Sequence, residues 1–465
     1  MRAINAMRLS GLEVLPLVEG GKGIGATNGR SAGAWAAAGG IGTFSGVNAD
    51  SFDPTGKPIP QTYRGKTRGE RHEELIDYAI RGGITQARIA HETASGRGRV
   101  HVNILWEMGG AERVLKGIME GAKGLIHGIT CGAGMPYRLA ELAAQYKAFA
   151  YPIVSSARAF SALWKRAYHK YSDWLGGVVY EDPWLAGGHN GLSNSEDPRK
   201  PESPYPRVVA LRKTMNSFGL VNTPIVMAGG VWYLREWENW IDNPELGPIC
   251  FQFGTRPLLT QESPIPEAWK QRLLTLDEGD ILLQRFSPTG FYSSAVRNDF
   301  VKELEQRSHR QVAYTAEQLG EHTAELAIGA RGRIVFVTPE DKIRAEAWMA
   351  EGFTQAMRTP DSTLVFVTPD KALEIRRDQA DCMGCLSHCL FSNWAANETG
   401  TTGKAADPRS FCIQKTLQDI VHQGGTENNL MFAGHGAYRF ARDPFYSNGF
   451  IPTVRQLIQR LLTGD

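Results

Sequence analysis

Short apolar runs alternate along the chain with longer stretches that carry apolar residues at helical spacing. The short runs predict strands over residues 12–18, 41–45, 100–105, 125–130, 150–155, 177–181, 224–228 and 249–254. The periodic stretches predict helices over 32–38, 69–80, 111–120, 137–147, 157–171, 208–217 and 232–242. Because strands that alternate with helices pair in parallel, these eight units predict a TIM-type β/α barrel, with a doubly wound sheet as the alternative.

The pattern changes after the predicted barrel. Residues 334–339 read IVFVTP and residues 364–369 read LVFVTP, with a helical stretch over 342–357 between them. Two strands joined by a crossover helix predict one βαβ unit. We therefore expect a barrel with a trailing segment over residues 1–310 and a smaller α/β domain over residues 311–465. The polar, proline-rich residues 189–206 predict a long loop that covers the barrel mouth.

Composition and charge narrow the class of partner. Hydrophobic residues make up 42% of the chain and charged residues 22%, which is typical of a globular protein. A net charge of +2 provides no basic field for nucleic acid or acidic membranes, so we expect a small-molecule substrate. The apolar segments are shorter than the roughly 20 residues of a membrane helix, and residues 1–10 do not form a signal peptide. These features predict a cytoplasmic protein and leave its oligomeric state open.

Two predicted strands end in glycine at neighbouring positions of the barrel. The stretch PIVMAGG places Ala228, Gly229 and Gly230 after the seventh strand, and ICFQFGTR places Gly254 and Thr255 after the eighth. Bare backbone N–H groups at these strand ends suit a phosphate. Glycines that only permit tight turns are the alternative, and two such pairs at the expected strands favour the phosphate site.

A histidine framed by glycines follows the sixth predicted strand. The stretch AGGHNG contains Gly187, Gly188 and His189. With little side-chain packing around it, His189 is expected to face the site, where its near-neutral pKa suits proton transfer or binding of an anion. A loop histidine that caps backbone groups is the alternative.

These motifs together resemble one enzyme family. AGGHNG, PIVMAGG and FQFGTRPLLTQES, with PLVEGG and AAAGGIGTFSG near the N-terminus, are similar to the nitronate monooxygenases, also called 2-nitropropane dioxygenases. That family in turn resembles flavin-dependent enoyl-acyl-carrier-protein reductases. The resemblance covers roughly residues 10–310.

The resemblance implies an FMN-binding β/α barrel. The family's histidine falls on His189, and its glycines for the FMN phosphate fall on Gly229, Gly230 and Gly254 with Thr255. Gly20 and Gly21 would lie beside the isoalloxazine ring. Here the chain departs from the family, which usually carries a methionine and small residues where this chain has Val18 and Glu19.

A cysteine cluster near the C-terminus is a second departure from the family. Cys382, Cys385, Cys389 and Cys412 form the spacing C-x2-C-x3-C-x22-C. Four thiolates, three of them in one tight loop, suit a [4Fe–4S] cluster, and the loop resembles that of flavin barrel enzymes related to 2,4-dienoyl-CoA reductase. A structural zinc site is the main alternative, although the second C-x2-C pair typical of zinc is absent. Reduced free thiols are a third possibility.

Two enzymatic hypotheses and one non-catalytic hypothesis follow. The first is an FMN-dependent oxidoreductase of nitronate monooxygenase type, in which oxygen is the oxidant and His189 holds or deprotonates the nitro compound. The second is an NAD(P)H-dependent flavin oxidoreductase or ene-reductase that uses the [4Fe–4S] cluster as an electron relay. The third is a redox-sensing or partner-binding module on a barrel scaffold, which leaves the glycine-framed histidine without a purpose.

Overall fold

Eight parallel strands form a closed barrel at the centre of the computed structural model, which describes residues 2–464. The strands are β1 Leu17–Glu19, β2 Ile41–Ser45, β3 Arg99–Leu105, β4 Gly128–Gly132, β5 Phe149–Val154, β6 Val178–Glu181, β7 Ile225–Ala228 and β8 Ile249–Phe253. Strand β8 pairs with β1, where Phe251 lies opposite Leu17, and this pairing closes the sheet. The predicted TIM-type barrel is confirmed, and closure excludes the doubly wound alternative.

Six α-helices follow the first six strands or their loops and surround the barrel. They are α1 Gly29–Ala37, α2 Arg68–Ala94, α3 Ala111–Gly121, α4 Leu139–Tyr146, α5 Ala157–Arg166 and α6 Pro204–Ser217. Shorter 3₁₀ helices cover Tyr168–Trp174, Leu234–Trp240 and Arg256–Leu259. The helix predicted after the seventh strand is therefore a 3₁₀ helix.

Helix α2 extends far beyond the predicted end at residue 80. Two glycines in its middle make the prediction too short, because glycine usually weakens a helix. In the fold they permit close packing. A Cβ atom on Gly82 would lie 1.7 Å from the carbonyl oxygen of Ala49, and one on Gly83 would lie 2.2 Å from Cδ1 of Ile118.

The first predicted strand divides into two elements. Leu12–Val14 pairs with Met7–Leu9 in an antiparallel hairpin, and the barrel strand β1 begins only at Leu17. The hairpin packs in one apolar cluster with Val18 and Tyr151. It therefore covers the end of the barrel opposite the strand carboxyl ends.

A small α/β unit follows the barrel and the helix Asp299–His309. Its strands are Gln311–Ala313, Ala324–Ile328, Arg333–Val337, Gln355–Arg358 and Thr363–Val367, and its helices are Pro339–Ala350 and Pro369–Ala380. The predicted single βαβ unit is wrong. The strand Gln311–Ala313 pairs with Thr363–Val367, and Thr315 just beyond it bridges to Phe336, so this segment separates the two repeated strands.

The last part of the chain returns to the barrel. It contains the helices Ile413–Gln423, Arg439–Arg442 and Val454–Thr463 and the 3₁₀ helices His435–Tyr438 and Pro444–Gly449. Leu417, Leu430 and Leu457 belong to the same hydrophobic core as the barrel. The small unit divides its buried residues between this core, which includes Val365 and Ile375, and a separate cluster of its own. The division at residue 310 stays a prediction, and this packing favours counting the last segment with the barrel. No helix within residues 2–464 is long and apolar enough to cross a membrane.

Candidate active site

One cavity opens at the carboxyl ends of the barrel strands, and the loops after β1, β6, β7 and β8 line it. All the residues predicted to bind the cofactor or act in catalysis line this cavity. They are Gly20, Gly21, Gly187, Gly188, His189, Ala228, Gly229, Gly230, Gly254 and Thr255. The structure therefore brings together residues that lie more than two hundred positions apart in the sequence.

The glycines after β7 and β8 present bare backbone to the cavity. Gly229 and Gly230 adopt φ angles of +93° and +78°, which side chains other than glycine rarely adopt. A Cβ atom on Gly254 would have no neighbour within 4 Å, so the space beside this residue is open. The hydroxyl of Thr255 accepts a hydrogen bond from the N–H of Gly434 at 2.9 Å. An anionic group fits this arrangement because unshielded N–H groups can approach it closely.

His189 is held in the cavity by a chain of hydroxyl groups. The short strand Gly188–His189 pairs with Ser293–Val296, and His189 Nε2 lies 2.6 Å from Ser287 Oγ. Ser287 Oγ is in turn 2.8 Å from the hydroxyl of Thr289. Burial lowers the pKa of His189 to about 4, so its imidazole is neutral at pH 7.

Two neighbouring acidic residues shape the loop before His189. Glu181, the last residue of β6, lines the cavity, and burial followed by the nearby Asp182 raises its pKa to about 8. Asp182 accepts hydrogen bonds from the N–H groups of Trp184 and Leu185 at 3.0 and 2.8 Å. Glu181 is therefore largely protonated at pH 7 and adds little negative charge to the cavity.

The C-terminal segment covers the cavity. Ile413, Gln414, Leu417 and Ile420 line it from one helix, and residues 431–434 line it from the following loop. The prediction that residues 189–206 form the lid is wrong, because His189 alone of this stretch lines the cavity in the described chain. Local sequence carries no signal for a cover that comes from a distant segment.

The cysteine loop lies at the same mouth, and Cys385 lines the cavity. A backbone N–H group points at each of the four sulfur atoms, from Gly384 to Cys382, Gln414 to Cys385, Phe391 and Ser392 to Cys389, and Lys415 to Cys412. Burial, followed by repulsion between neighbouring sulfurs, raises the pKa of Cys385 and Cys389. A backbone N–H group stabilises a thiolate more than a thiol, so these donors oppose the effect of burial at Cys385 and Cys389. Within residues 2–464, no three His, Cys, Asp or Glu side chains are arranged to hold a metal ion, so a metal on Cys382, Cys385, Cys389 and Cys412 stays a prediction.

The first turn of α2 attaches the cysteine loop to the barrel. Arg71 Nε donates to the carbonyl oxygen of Cys382 at 3.0 Å, and His72 Nδ1 lies 2.9 Å from that of Gly384. The N–H of Gly109, after β3, donates to the carbonyl oxygen of Cys385 at 2.9 Å. These contacts fix the position of Cys385 relative to the barrel strands.

Comparison with known proteins identifies the family. The family model described as nitronate monooxygenase matches residues 123–464, which is most of the chain. The chain belongs to the nitronate monooxygenase family. It is therefore an oxidoreductase, and enzymes of the nitronate monooxygenase family are typically FMN-dependent. A search of curated proteins found no match.

Solved structures share the fold of this nitronate monooxygenase family member. FabK from Thermotoga maritima is 16% identical, with a TM-score of 0.50 over 96% of this chain and 91% of that one. The enoyl reductase domain of MlnA from the macrolactin biosynthesis cluster of Bacillus amyloliquefaciens is 12% identical, with a TM-score of 0.53 over 97% and 93% of the two chains. At these identities the likeness establishes the fold alone.

An ion pair after β1 is a part of the site that sequence reasoning missed. Lys22 lines the cavity, and its Nζ lies 2.8 Å from the carbonyl oxygen of Gly20 and 3.7 Å from Oε1 of Glu19. Burial raises the pKa of Glu19 to about 7 and lowers that of Lys22 to about 8. Two charged residues on either side of a Gly-Gly pair at a strand's carboxyl end were the available signal.

Proposed function

We propose that this protein is an FMN-dependent oxidoreductase of nitronate monooxygenase type, which oxidises nitronates or nitroalkanes with oxygen. The observation that carries the proposal is one cavity that holds both His189 and the bare backbone of Gly229, Gly230 and Gly254. Those glycines and Thr255 would hold the FMN phosphate, while Gly20, Gly21, Gly187 and Gly188 would border the ring. When bound, FMN supplies the electron-accepting chemistry.

The state of His189 favours binding of an anion over removal of a proton from a neutral substrate. A histidine whose pKa is about 4 is a weak base at pH 7. An imidazole N–H can nevertheless donate to a nitronate oxygen, and an adjacent anion raises the histidine pKa. Ser287 and Thr289 fix the ring while it does so. His189 would therefore hold the nitro group of a substrate that is already ionised.

The FMN site can be tested without disturbing the fold. Because a Cβ on Gly254 meets open space, Gly254→Val should fill the cofactor's position and leave packing intact. We expect FMN affinity to fall at least about 100-fold and the unfolding midpoint of the apoprotein to stay unchanged. Gly69→Val, on the exposed surface of α2, is the matched control. Full FMN occupancy in Gly254→Val would contradict the proposed phosphate site.

His189 can be tested by turnover. His189→Ala should retain FMN and lower kcat/KM for a nitronate by roughly 10²–10⁴, the usual worth of a positioned polar group in catalysis. Ser287→Ala is the comparison variant. Its kcat/KM should fall less than that of His189→Ala, because Ser287 only orients the imidazole of His189. Unchanged kcat/KM in His189→Ala would remove the histidine from the proposed reaction.

A second candidate function is supported by the position of Cys385. This cysteine lines the same cavity as the glycines, and the four sulfurs of Cys382, Cys385, Cys389 and Cys412 receive backbone N–H donors. The candidate is an NAD(P)H-dependent flavin oxidoreductase or ene-reductase with a [4Fe–4S] cluster on these cysteines as an electron relay. Zinc on the same cysteines remains the alternative metal.

Iron analysis and reduction assays separate the two candidates. The cluster predicts about four irons per chain in anaerobically purified protein and a brown colour, whereas zinc adds no colour. Cys385→Ser should lose the iron and keep FMN, and Cys250→Ala, a buried thiol outside the cluster, should keep both. Flavin reduction by NADH or NADPH without a nitro compound would support the reductase. One zinc and no iron would end the relay hypothesis.

A further inference from the structure

Lys22 is the sole lysine or arginine among the described residues that line the cavity. Among the other titratable groups there, burial keeps His189 neutral and Glu181 protonated, and the carboxylate of Glu107 accepts a hydrogen bond from Ser387 Oγ at 2.7 Å. Lys22 therefore dominates the positive potential inside the cavity. In a site shielded from water, such a charge acts more strongly on an anion than it would at the surface.

The backbone around Lys22 is rigid. Its N–H donates to the hydroxyl of Thr27 at 2.7 Å, and its carbonyl oxygen accepts from the N–H of Thr27 at 3.1 Å. The preceding Gly21 packs against β3, since a Cβ at this position would lie 2.3 Å from Cβ of Asn103. With its backbone fixed in this way and its Nζ hydrogen-bonded to the carbonyl oxygen of Gly20, Lys22 has less conformational freedom to lose when it binds a ligand.

The ammonium group of Lys22 has a donor to spare. An ammonium carries three N–H bonds, and one of them reaches the carbonyl oxygen of Gly20. The carboxylate of Glu19 lies at 3.7 Å, which makes it a counter-ion beyond ordinary hydrogen-bond length. The Glu19 side chain is 1% exposed and that of Lys22 is 15% exposed, so the open side of the ammonium belongs to the cavity.

We propose that Lys22 binds an anionic oxygen of the substrate and so makes the site select a nitronate over the neutral nitroalkane. The inference rests on the proposed function, which it deepens by naming a specificity-determining residue. Around the mouth the strands follow the order β6, β7, β8, β1. The phosphate loops after β7 and β8 therefore lie between His189, which follows β6, and Lys22, which follows β1. Lys22 is thus carried by a loop separate from the two loops that would hold the phosphate.

Binding of unreactive analogues to the FMN holoenzyme tests this role without turnover. Isobutyrate is an anion with the same heavy-atom connectivity as propane-2-nitronate, and isobutyramide is its neutral counterpart. By calorimetry, Lys22→Met should weaken isobutyrate binding about 10- to 100-fold, the worth of one charged hydrogen bond, and leave isobutyramide within about twofold. Lys22→Arg should retain most of the isobutyrate affinity, because the charge remains.

The double variant Glu19→Gln/Lys22→Met tests whether a loss of binding in Lys22→Met comes from misfolding. It removes both charges, so no carboxylate is left buried without a counter-ion, and it should also bind isobutyrate weakly. Equal isobutyrate affinity in wild type and Lys22→Met would overturn the inference. Loss of FMN from Lys22→Met would also overturn it, since the charge would then serve the phosphate. A shifted flavin potential with unchanged isobutyrate affinity would overturn it in favour of the flavin ring.

One further measurement separates this inference from the proposed function. Propane-2-nitronate should reduce the flavin of the wild-type enzyme anaerobically. If it does not, while isobutyrate binding still depends on Lys22, the nitronate function fails and the anion site stands. If it does, while isobutyrate binding is independent of Lys22, the function stands and the assignment of Lys22 fails.

Discussion

Two ion pairs in this protein differ in how many of their polar atoms have a hydrogen-bond partner. Arg256, just after β8, pairs with Asp443 of the C-terminal segment at 3.3 Å, and the two side chains are 0% and 2% exposed. Arg256 also donates to the carbonyl oxygen of Trp232 at 2.6 Å and to the hydroxyl of Tyr446 at 3.2 Å. In the Lys22–Glu19 pair, the carboxylate lies at 3.7 Å and its second oxygen has no partner within residues 2–464.

The difference separates a pair that holds the fold together from a pair that can receive a ligand. Burial alone would raise the pKa of Asp443, but hydrogen bonds from Tyr233, Phe445 and Trp232 and the charge of Arg256 lower it. At Glu19 burial outweighs Lys22, and the pKa rises to about 7. A network that satisfies every group stabilises the native state, whereas an incomplete one leaves capacity for a partner from outside.

The largest expected effect is at the complete pair. Asp443→Ala leaves the Arg256 guanidinium buried without a counter-ion and should lower the free energy of unfolding by about 3–5 kcal/mol. Glu278→Ala is the control, because Glu278 pairs with Arg442 of the same segment at the surface and should cost at most about 1 kcal/mol. Urea denaturation measures both. Equal losses would show that burial of Arg256 does not distinguish the two pairs.

A smaller and pH-dependent effect is expected at the incomplete pair. In Lys22→Met, Glu19 can hold a proton in the native state at pH values where the unfolded state has already lost it, because its native pKa is raised above 4.5. Stability should therefore fall as pH rises from about 5 to 7, by up to about 1.4 kcal/mol per pH unit. The double variant Glu19→Gln/Lys22→Met should lack this slope. A slope that persists in the double variant would place its origin elsewhere.

The smallest expected effect is at a partly exposed pair between the helix Ile413–Gln423 and the loop after β2. His422 Nε2 lies 2.8 Å from Asp50 Oδ2, and this hydrogen bond raises the pKa of His422. The contribution is present below pH 6.5 and is lost as pH rises through the native pKa. Asp50→Asn should cost about 0.5–1 kcal/mol at pH 5.5 and less at pH 9, measured by urea denaturation. An equal loss at both values would mean that the charge on His422 contributes nothing.

The barrel and the candidate residues around its mouth could be predicted because their signals are local. A glycine at the end of an apolar run indicates a turn at that position. Because the strands are parallel, all their carboxyl ends lie at the same end of the barrel. Gly229, Gly230 and His189 therefore needed no knowledge of distant contacts. The strand boundaries at 41–45 and 249–254 agree with the structure to within a residue for the same reason.

The missed features depend on partners far along the chain. Helix α2 continues through Gly82 because Ala49 packs against it, and no local rule supplies that neighbour. The two repeated strands of the small unit are separated by a segment that begins at Gln311. Each of these strands is followed by a helix that begins at a Thr-Pro pair, which is a local signal, whereas the segment between the strands has none. The cover of the cavity was missed for the same reason, because it comes from residues beyond 412, which are distant in sequence from the barrel strands.

The contact between Gly434 and Thr255 has a kinetic consequence. The N–H of Gly434 donates a hydrogen bond to the hydroxyl of Thr255. Gly187 packs against the same segment, since a Cβ atom at this position would lie 2.6 Å from the backbone of Ala433 and Gly434. We expect a cofactor seated among these glycines to leave when residues 431–434 move away from them. If that movement limits release, cofactor exchange should be slow, first order and independent of the free cofactor concentration.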